Sequence, residues 1–187
     1  MPDYIQLSRK IKRGPAIILP KDIAIIIANS NLDKESRVLD AGSGSGILTC
    51  FLARFVKRVY SYDNRKEFLN IAKENSKLFG LKNITFRHKD VFMEIKEKNL
   101  DLITLDLKEP EKALVNCHKA LKLAGYLAVY LPNISQVQDM VKKLNKKFKI
   151  IKVVETIERP WLVEEQRLRP EHFILGHTGF IAILKKI

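Results

Sequence analysis

Short apolar runs alternate with longer segments of mixed polarity along this chain, and that alternation predicts an α/β fold. The predicted strands are 38–40, 59–63, 84–88, 100–105, 126–131, 150–158 and 180–185. The predicted helices are 20–31, 47–56, 66–79, 111–121 and 135–146. Because most strands are continuous apolar runs, they are typical of a parallel sheet covered on both faces. No helix separates the last two strands, so we expect an antiparallel pair at the edge of a mostly parallel seven-stranded sheet.

The first predicted strand runs directly into a glycine-spaced turn that contains Gly42, Gly44 and Gly46. Glycine permits positive φ angles and lets a ligand approach the main chain closely. An acidic residue, Asp63, ends the next predicted strand. Doubly wound α/β domains hold an adenosine with such a turn and an acid roughly 20 residues later, the carboxylate binding the ribose hydroxyls. The pattern therefore predicts a nucleoside-cofactor site.

The acid before this turn, Asp40, indicates which nucleoside cofactor binds. The turn reads G-x-G-x-G, whereas the dinucleotide fingerprint is G-x-G-x-x-G. A carboxylate at Asp40 would repel a pyrophosphate and would attract the cationic methionine group of S-adenosylmethionine (SAM). SAM is therefore favoured over NAD.

Two further acids, Asp90 and Asp106, end the third and fourth predicted strands. Ligands of open α/β sheets bind beyond the carboxyl ends of the strands, so we expect all four strand-end acids to meet in one cleft. Asp90 is placed beside the adenine, and an aspartate there also suits the N-cap of a helix.

The charge balance predicts a polyanionic partner. Lys and Arg number 34 against 21 Asp and Glu, which gives a net charge of +13 and a pI near 9.7. Such a field favours nucleic acid first and an anionic membrane second. Trp161, Arg167 and Arg169 share one segment, where they could stack on bases and contact phosphates. The alternative is a hairpin whose Trp161 packs on the sheet edge.

Length and composition limit the remaining possibilities. The 187 residues suit one domain, 20–187, preceded by a basic arm, 1–19, whose Arg13 is counted with the substrate-binding residues. No apolar run approaches the roughly 18 residues that span a bilayer, and no signal peptide is apparent. Cys50 and Cys117 are expected to be buried free thiols of a cytoplasmic protein. Four scattered histidines show no metal-ligand spacing, so no metal is expected.

Six segments occur in a distinctive order from about residue 13 to residue 186. They are K-R-G-P with P-K-D, V-L-D-A-G-S-G-S-G-I-L-T, Y-D-N-R-K-E-F, D-L-I-T-L-D-L-K-E-P, Y-L-P-N-I-S-Q-V and G-H-T-G-F-I. Together they resemble the tRNA adenine-N1 methyltransferases that modify an adenosine in the T-loop. The resemblance implies a Rossmann-like, class I SAM-dependent methyltransferase with tRNA as its partner.

The resemblance also implies roles for individual residues. The methionine and ribose part of SAM would be lined by Ser45, Gly46, Ile47 and Leu48. Phe68 would lie near the ribose, and Val91 would join Asp90 at the adenine. Asp106 matches the catalytic aspartate, whose carboxylate would stabilise the positive charge that methylation places on the base. His177, within G-H-T-G-F, is counted with the substrate-binding residues.

The resemblance leaves open which chain binds the body of the tRNA. Members of this family carry a β-rich domain ahead of R-G-P and form homotetramers, whereas few residues precede Gly14 here. We therefore expect a homo-oligomer or a partner chain that supplies a tRNA-binding domain. Leu19 and Glu111 stand where the family usually has aromatic residues, which leaves a different methyl acceptor open.

Two other functions remain as alternatives. One is a stand-alone small-molecule methyltransferase of the decarboxylating corrin-precursor type, although Asp106 would face its polycarboxylate substrate unfavourably. The other is a non-catalytic tRNA-binding subunit, which predicts a degraded cofactor motif, whereas 42–46 is intact.

Overall fold

A seven-stranded sheet forms the centre of the protein in a computed structural model that describes residues 10–12, 14, 17–144 and 146–187. Its strands are β1 (Arg37–Ala41), β2 (Arg58–Asp63), β3 (Ile84–His88), β4 (Leu100–Asp106), β5 (Leu121–Leu131), β6 (Phe148–Glu155) and β9 (Phe180–Lys186). The strands β7 (Trp161–Glu164) and β8 (Arg167–Pro170) form a separate two-stranded ribbon. The helices are α1 (Pro20–Ala28), α2 (Ile47–Leu52), α3 (Lys66–Leu78), α4 (Leu114–Ala120) and α5 (Ile134–Lys143).

The strand order is β3-β2-β1-β4-β5-β9-β6. The first five strands are parallel, and β9 runs antiparallel to both β5 and β6. This arrangement confirms the predicted mostly parallel seven-stranded sheet with an antiparallel edge pair. The chain winds outward in opposite directions from β1 and β4, so a crevice opens where the carboxyl ends of these two strands meet.

Helices cover both faces of the sheet. Helices α1 and α2 pack on one face, and α4 and α5 pack on the other. Val38 and Leu39, adjacent in β1, are fully buried in opposite core layers, which is why the strand reads as a continuous apolar run. Cys50 and Cys117 are buried and are not joined in a disulfide, as predicted. Within the described ranges, no helix has the length and apolar character needed to cross a membrane.

The structure corrects the extent of the helix predicted over 47–56. Helix α2 ends at Leu52, and the backbone N–H groups of Arg54 and Phe55 bond to carbonyls only three residues earlier. The side-chain amide of Asn83 donates to the carbonyls of Ala53 and Val56, at 2.7 and 2.9 Å. The carbonyls that follow α2 are thus satisfied by Asn83, which is distant in the sequence, and not by further turns of the helix.

Other boundaries differ from the prediction by a few residues. The helix predicted over 111–121 is a 3-10 turn, Pro110–Ala113, followed by α4. Strand β5 then begins at Leu121, because Leu121 already pairs with Leu100 of β4. The helix predicted over 135–146 is Ile134–Lys143, and the strand predicted over 150–158 is Phe148–Glu155.

Gly46 sets the distance between α2 and α3. It has a φ of +80°, and a Cβ atom there would lie 2.8 Å from Cβ and 2.9 Å from Cα of Ala72. Only glycine combines this left-handed conformation with so close an approach to a helix backbone. The turn and α3 are therefore held in van der Waals contact.

We expect Gly46→Ala to destabilise the protein more than Gly80→Ala does. Both positions have positive φ angles, +80° and +64°, but nothing lies within 4 Å of a Cβ at Gly80. Left-handed strain costs about 1–2 kcal/mol in each variant. Overlap with α3 adds about 1–3 kcal/mol in Gly46→Ala alone. Urea unfolding measures the difference, and equal losses would contradict the packing role of Gly46.

Candidate active site

Two adjoining cavities lie beyond the carboxyl ends of the strands, and Gly42 and Arg65 border both. Predicted residues in the first cavity are Gly42, Gly44, Ser45, Ile47, Leu48 and Asp106. Predicted residues in the second cavity are Gly42, Asp63, Asp90 and Val91. The structure thus brings together most residues that the sequence assigned to cofactor binding and catalysis. Ile17 and Ile18, which the sequence interpretation missed, form another wall of the first cavity.

The carboxylate of Asp63 is fixed by backbone amides. The N–H of Gly44 donates to Oδ2 at 3.1 Å, and the N–H of Arg65 donates to Oδ1 at 2.9 Å. A carboxylate oxygen has two lone pairs and can accept two hydrogen bonds, so acceptor capacity remains on Asp63 for two ribose hydroxyls. A Cβ atom at Gly42 would lie 3.3 Å from Oδ2, so glycine keeps this carboxylate approachable. The geometry fits the adenosine part of SAM.

Asp90 and Val91 line the second cavity. Oδ1 of Asp90 accepts the N–H of Phe92 at 2.8 Å, so this aspartate caps a turn rather than the helix that sequence analysis considered. That bond engages one of its two carboxylate oxygens. Val91 is also buried in the hydrophobic core on the face of the sheet that α4 and α5 cover.

Asp40 lies beneath the glycine turn and lines neither cavity. It is 1% exposed, and its oxygens accept the hydroxyls of Thr49 at 2.5 Å and Thr104 at 2.7 Å. Ser61 and Thr104 are its register partners on the neighbouring strands, so all three side chains leave the same face of the sheet. Burial raises the pKa of Asp40 to about 6, although the two hydroxyls lower it. In the sequence, Thr104 is only a single polar position in an apolar strand and Thr49 a single polar position in an apolar helix.

Asp106, at the end of β4, is the acid that reaches the first cavity. Burial and, to a lesser extent, the charge of Asp40 raise its pKa to about 7, and the guanidinium of Arg65 opposes the shift. Arg65 lies 3.5 Å from the Asp63 carboxylate, measured from Nε, and stacks 3.9 Å above the centre of the Phe68 ring. Phe68, predicted near the ribose, therefore supports Arg65 and lines neither cavity.

The ribbon of β7 and β8 separates the predicted RNA-binding residues into two groups. Trp161 pairs with Pro170 and Val163 with Leu168, so these side chains share one face. Arg167 and Arg169 lie on the opposite face. The hairpin that was considered as an alternative does form, but Trp161 is 55% exposed rather than packed on the sheet edge. Arg13 lies outside the described residues.

His177 bridges two segments at the carboxyl edge of the sheet. Its Nδ1 contacts the carboxylate of Glu155, and its Nε2 lies 2.9 Å from the carbonyl oxygen of Pro132. Both partners are acceptors, so both ring nitrogens donate only when the ring is an imidazolium. The hydrogen bond to Glu155 accordingly raises the pKa of His177. In the described part of the chain, no group of three or more metal-ligating side chains is arranged to hold an ion.

Comparisons with known proteins agree with this geometry. A family model for the tRNA methyltransferase complex GCD14 subunit matches residues 8–181. The chain is 34% identical to the tRNA (adenine(57)-N(1)/adenine(58)-N(1))-methyltransferase TrmI of Methanocaldococcus jannaschii, covering 98% of this chain and 76% of the relative.

Two crystal structures resemble the whole of this chain. The tRNA (m1A58) methyltransferase TrmI from Aquifex aeolicus superposes with a TM-score of 0.94 at 30% identity, covering 100% of this chain and 76% of that one. A SAM-dependent O-methyltransferase from Thermotoga maritima superposes with a TM-score of 0.92 at 32% identity, covering 100% and 72%. These matches confirm the predicted class I SAM-dependent methyltransferase fold.

Proposed function

The chain belongs to the family of the tRNA methyltransferase complex GCD14 subunit, and from this premise we propose that it methylates N1 of an adenosine in the T-loop of tRNA. The observation that carries the proposal is the position of Asp106. Its carboxylate lies in the cavity that the glycine turn borders, at the carboxyl end of β4. An acid placed there is suited to a methyl acceptor that becomes positively charged.

The side chains around the cavities have separate tasks in this proposal. Asp63 binds the ribose hydroxyls of SAM, and Asp90 with Val91 binds its adenine, while the turn over 42–48 holds the methionine part. SAM supplies the methyl group in an already activated, cationic form, so no side chain has to activate it. Methylation at N1 leaves the acceptor adenine cationic. The carboxylate of Asp106, beside the exocyclic amine, stabilises that charge as it develops.

The alternatives fit this site less well. A polycarboxylate substrate of the corrin-precursor type would bring negative charge against Asp106, which is unfavourable in a partly buried cleft. A non-catalytic subunit has no need of an ordered cofactor turn, yet the Gly44 N–H is aligned on Asp63 and Gly46 is packed on α3. Residues 20–187 form the methyltransferase domain in this proposal, and Ile17 and Ile18 extend the arm, 1–19, into its cavity.

We expect the protein to transfer labelled methyl from SAM to unmodified tRNA and to yield 1-methyladenosine. Removing the charge in Asp106→Asn should lower kcat about 10²–10³-fold, as for other groups that stabilise transition-state charge. Nucleoside analysis of the digested tRNA identifies the product. The exposed acid Asp139 on α5 gives the matched control Asp139→Asn, which should behave as wild type. If the protein binds SAM but labels no tRNA, tRNA is not the methyl acceptor, and the assignment of the SAM site is unaffected.

The transfer should depend on pH through the ionisation of Asp106. Its pKa is raised to about 7, and the ionised form is the one that stabilises a cationic base, so kcat/KM should rise between pH 6 and pH 8. Because a single protonation, that of Asp106, blocks the reaction, kcat/KM should increase almost tenfold between pH 6 and pH 8. Asp106→Asn should remove this dependence. A wild-type profile that is flat across this range would exclude Asp106 as the titrating group.

We propose further that a second copy of this chain covers the apolar face of the ribbon formed by β7 and β8. An isolated two-stranded ribbon is marginally stable in water, and here Val163 and Leu168 are 74% and 73% exposed. Together with Trp161 they form an apolar face of the kind that marks a protein interface. Arg167 and Arg169, on the other face, are then available to RNA phosphates.

Charged substitutions on this apolar face should dissociate the oligomer. Val163→Lys with Leu168→Lys should reduce the mass measured by sedimentation at micromolar concentration to that of one chain, because burying two ammonium groups is unfavourable. Leu123→Lys is the matched control, since Leu123 is 75% exposed at the start of β5, away from the ribbon. A wild-type protein that sediments as a monomer would contradict the proposal.

A further inference from the structure

The segments P-K-D and G-H-T-G-F, far apart in the sequence, meet in one buried network. The ammonium of Lys21 donates to Oδ1 of Asp22 at 2.8 Å, to the carbonyl of Thr156 at 2.7 Å and to the hydroxyl of Thr178 at 2.6 Å. The side chains of Lys21 and Asp22 are 10% and 0% exposed. The partners are separated by 135 and 157 positions along the chain. The network therefore joins the start of α1 to both ends of the segment between β6 and β9.

The hydrogen bonds within this network satisfy its charges. The hydroxyl of Thr178 donates to Oδ2 of Asp22 at 2.8 Å, and the hydroxyl of Thr156 donates to Oδ1. Each hydroxyl also accepts from Lys21, at 3.1 Å for Thr156. A buried ion pair is tolerated when its remaining donors and acceptors are satisfied in this way. Because the pair lies in the first turn of α1, the acid also complements the helix dipole.

The network reaches Asp106 from two sides. On one side, Ile17 and Ile18 directly precede Leu19, the N-cap of α1, and both share the first cavity with Asp106. On the other side, the carbonyl of Thr178 accepts the hydroxyl of Tyr130 at 2.5 Å. Tyr130 is the register partner of Asp106 on β5, so both side chains leave the same face of the sheet.

The glycine after Thr178 explains how closely the Tyr130 ring is held. A Cβ atom at Gly179 would lie 2.6 Å from Cζ of Tyr130, so the ring lies directly against the backbone there. Lys21 and Asp22 thus fix Thr178, and Thr178 with Gly179 fixes the ring beside Asp106. None of these contacts involves the glycine turn or Asp63.

We propose that Lys21 and Asp22 are positioning residues for the methyl acceptor, acting through Thr156 and Thr178. They hold the start of α1 and the segment between β6 and β9 at a fixed separation on either side of Asp106. A further cavity, lined by Leu19, Lys21, Glu158, Pro160 and 173–175, lies between the same two segments. The inference rests on the proposed function, because it assumes that the acceptor approaches Asp106 from this side. SAM binding should not depend on the network.

The test compares Thr178→Val with Thr178→Ser. Valine has the shape of threonine without the hydroxyl, whereas serine keeps the hydroxyl. Thr178→Val should lower kcat/KM for tRNA at least tenfold while the SAM dissociation constant stays within twofold of wild type. Thr178→Ser should restore most of the activity. Lys57→Met is the control, because Lys57 forms an exposed ion pair with Glu35 near the opposite edge of the sheet.

Amide hydrogen exchange provides a readout that does not depend on activity. In Thr178→Val, exchange over 156–160 and 176–179 should accelerate at least tenfold, while exchange in β1 to β4 stays unchanged. The double variant Lys21→Met/Asp22→Leu removes both charges and leaves neither ion buried alone. It should show the same local acceleration together with the loss of tRNA turnover, even if Asp22→Asn alone does not fold.

Two results would overturn the proposal. One is a Thr178→Val variant whose tRNA turnover and amide hydrogen exchange are the same as those of the wild type. The other is acceleration throughout the sheet with a matching loss of SAM binding, which would reduce the network to a general stabilising contact. If the wild type labels no tRNA, the proposed function fails, and the exchange comparison alone decides whether these residues anchor the two segments.

Discussion

The hydrogen bonds to the buried carboxylate of Asp40 are the interaction on which the cleft depends. Thr49 from α2 and Thr104 from β4 donate to its two oxygens, so one side chain of β1 joins the helix and the strand that border the glycine turn. An unpartnered buried acceptor costs about 1–3 kcal/mol, and a charged one costs more. These hydrogen bonds therefore fix the glycine turn relative to β4. Because Asp106 ends β4, they also fix the position of Asp106 relative to the turn.

Local patterns explain why so much of the site could be predicted from the sequence. The glycine turn and the acids Asp63, Asp90 and Asp106 are each encoded within a few residues of a strand end, and parallel strands bring their carboxyl ends to one edge. Such features need no knowledge of distant contacts. The same holds for α3, whose end at Leu78 precedes Gly80 with its φ of +64°.

Long-range contacts account for what the sequence did not reveal. Helix α2 stops at Leu52 because the amide of Asn83, some 30 positions away, binds the carbonyls that follow. Lys21 and Asp22 are polar residues at the beginning of the helix predicted over 20–31, and nothing nearby in the sequence indicates that their partners are Thr156 and Thr178. The faces of the ribbon also depend on a pairing that the sequence does not reveal. Because β7 pairs with β8 in this register, Trp161 lies on one face and Arg167 and Arg169 lie on the other.

The electrostatics of the cleft explain why one site suits both a cationic cofactor and a product that becomes cationic. Asp40 and Asp106 are both buried, and burial is the main reason that their pKa values rise, to about 6 and about 7. The charge of Asp63 adds to the shift of Asp40, and the charge of Asp40 adds to the shift of Asp106. The guanidinium of Arg65 opposes this shift for Asp106 only in part. The cleft therefore carries a negative charge that its own side chains do not balance, and a bound cation would neutralise it. Methyl transfer moves a positive charge from the cofactor to the base without removing it from the cleft. Under the proposed function, the same pair of acids therefore stabilises the charge before and after the transfer, with Asp40 beneath the turn and Asp106 beside the proposed acceptor.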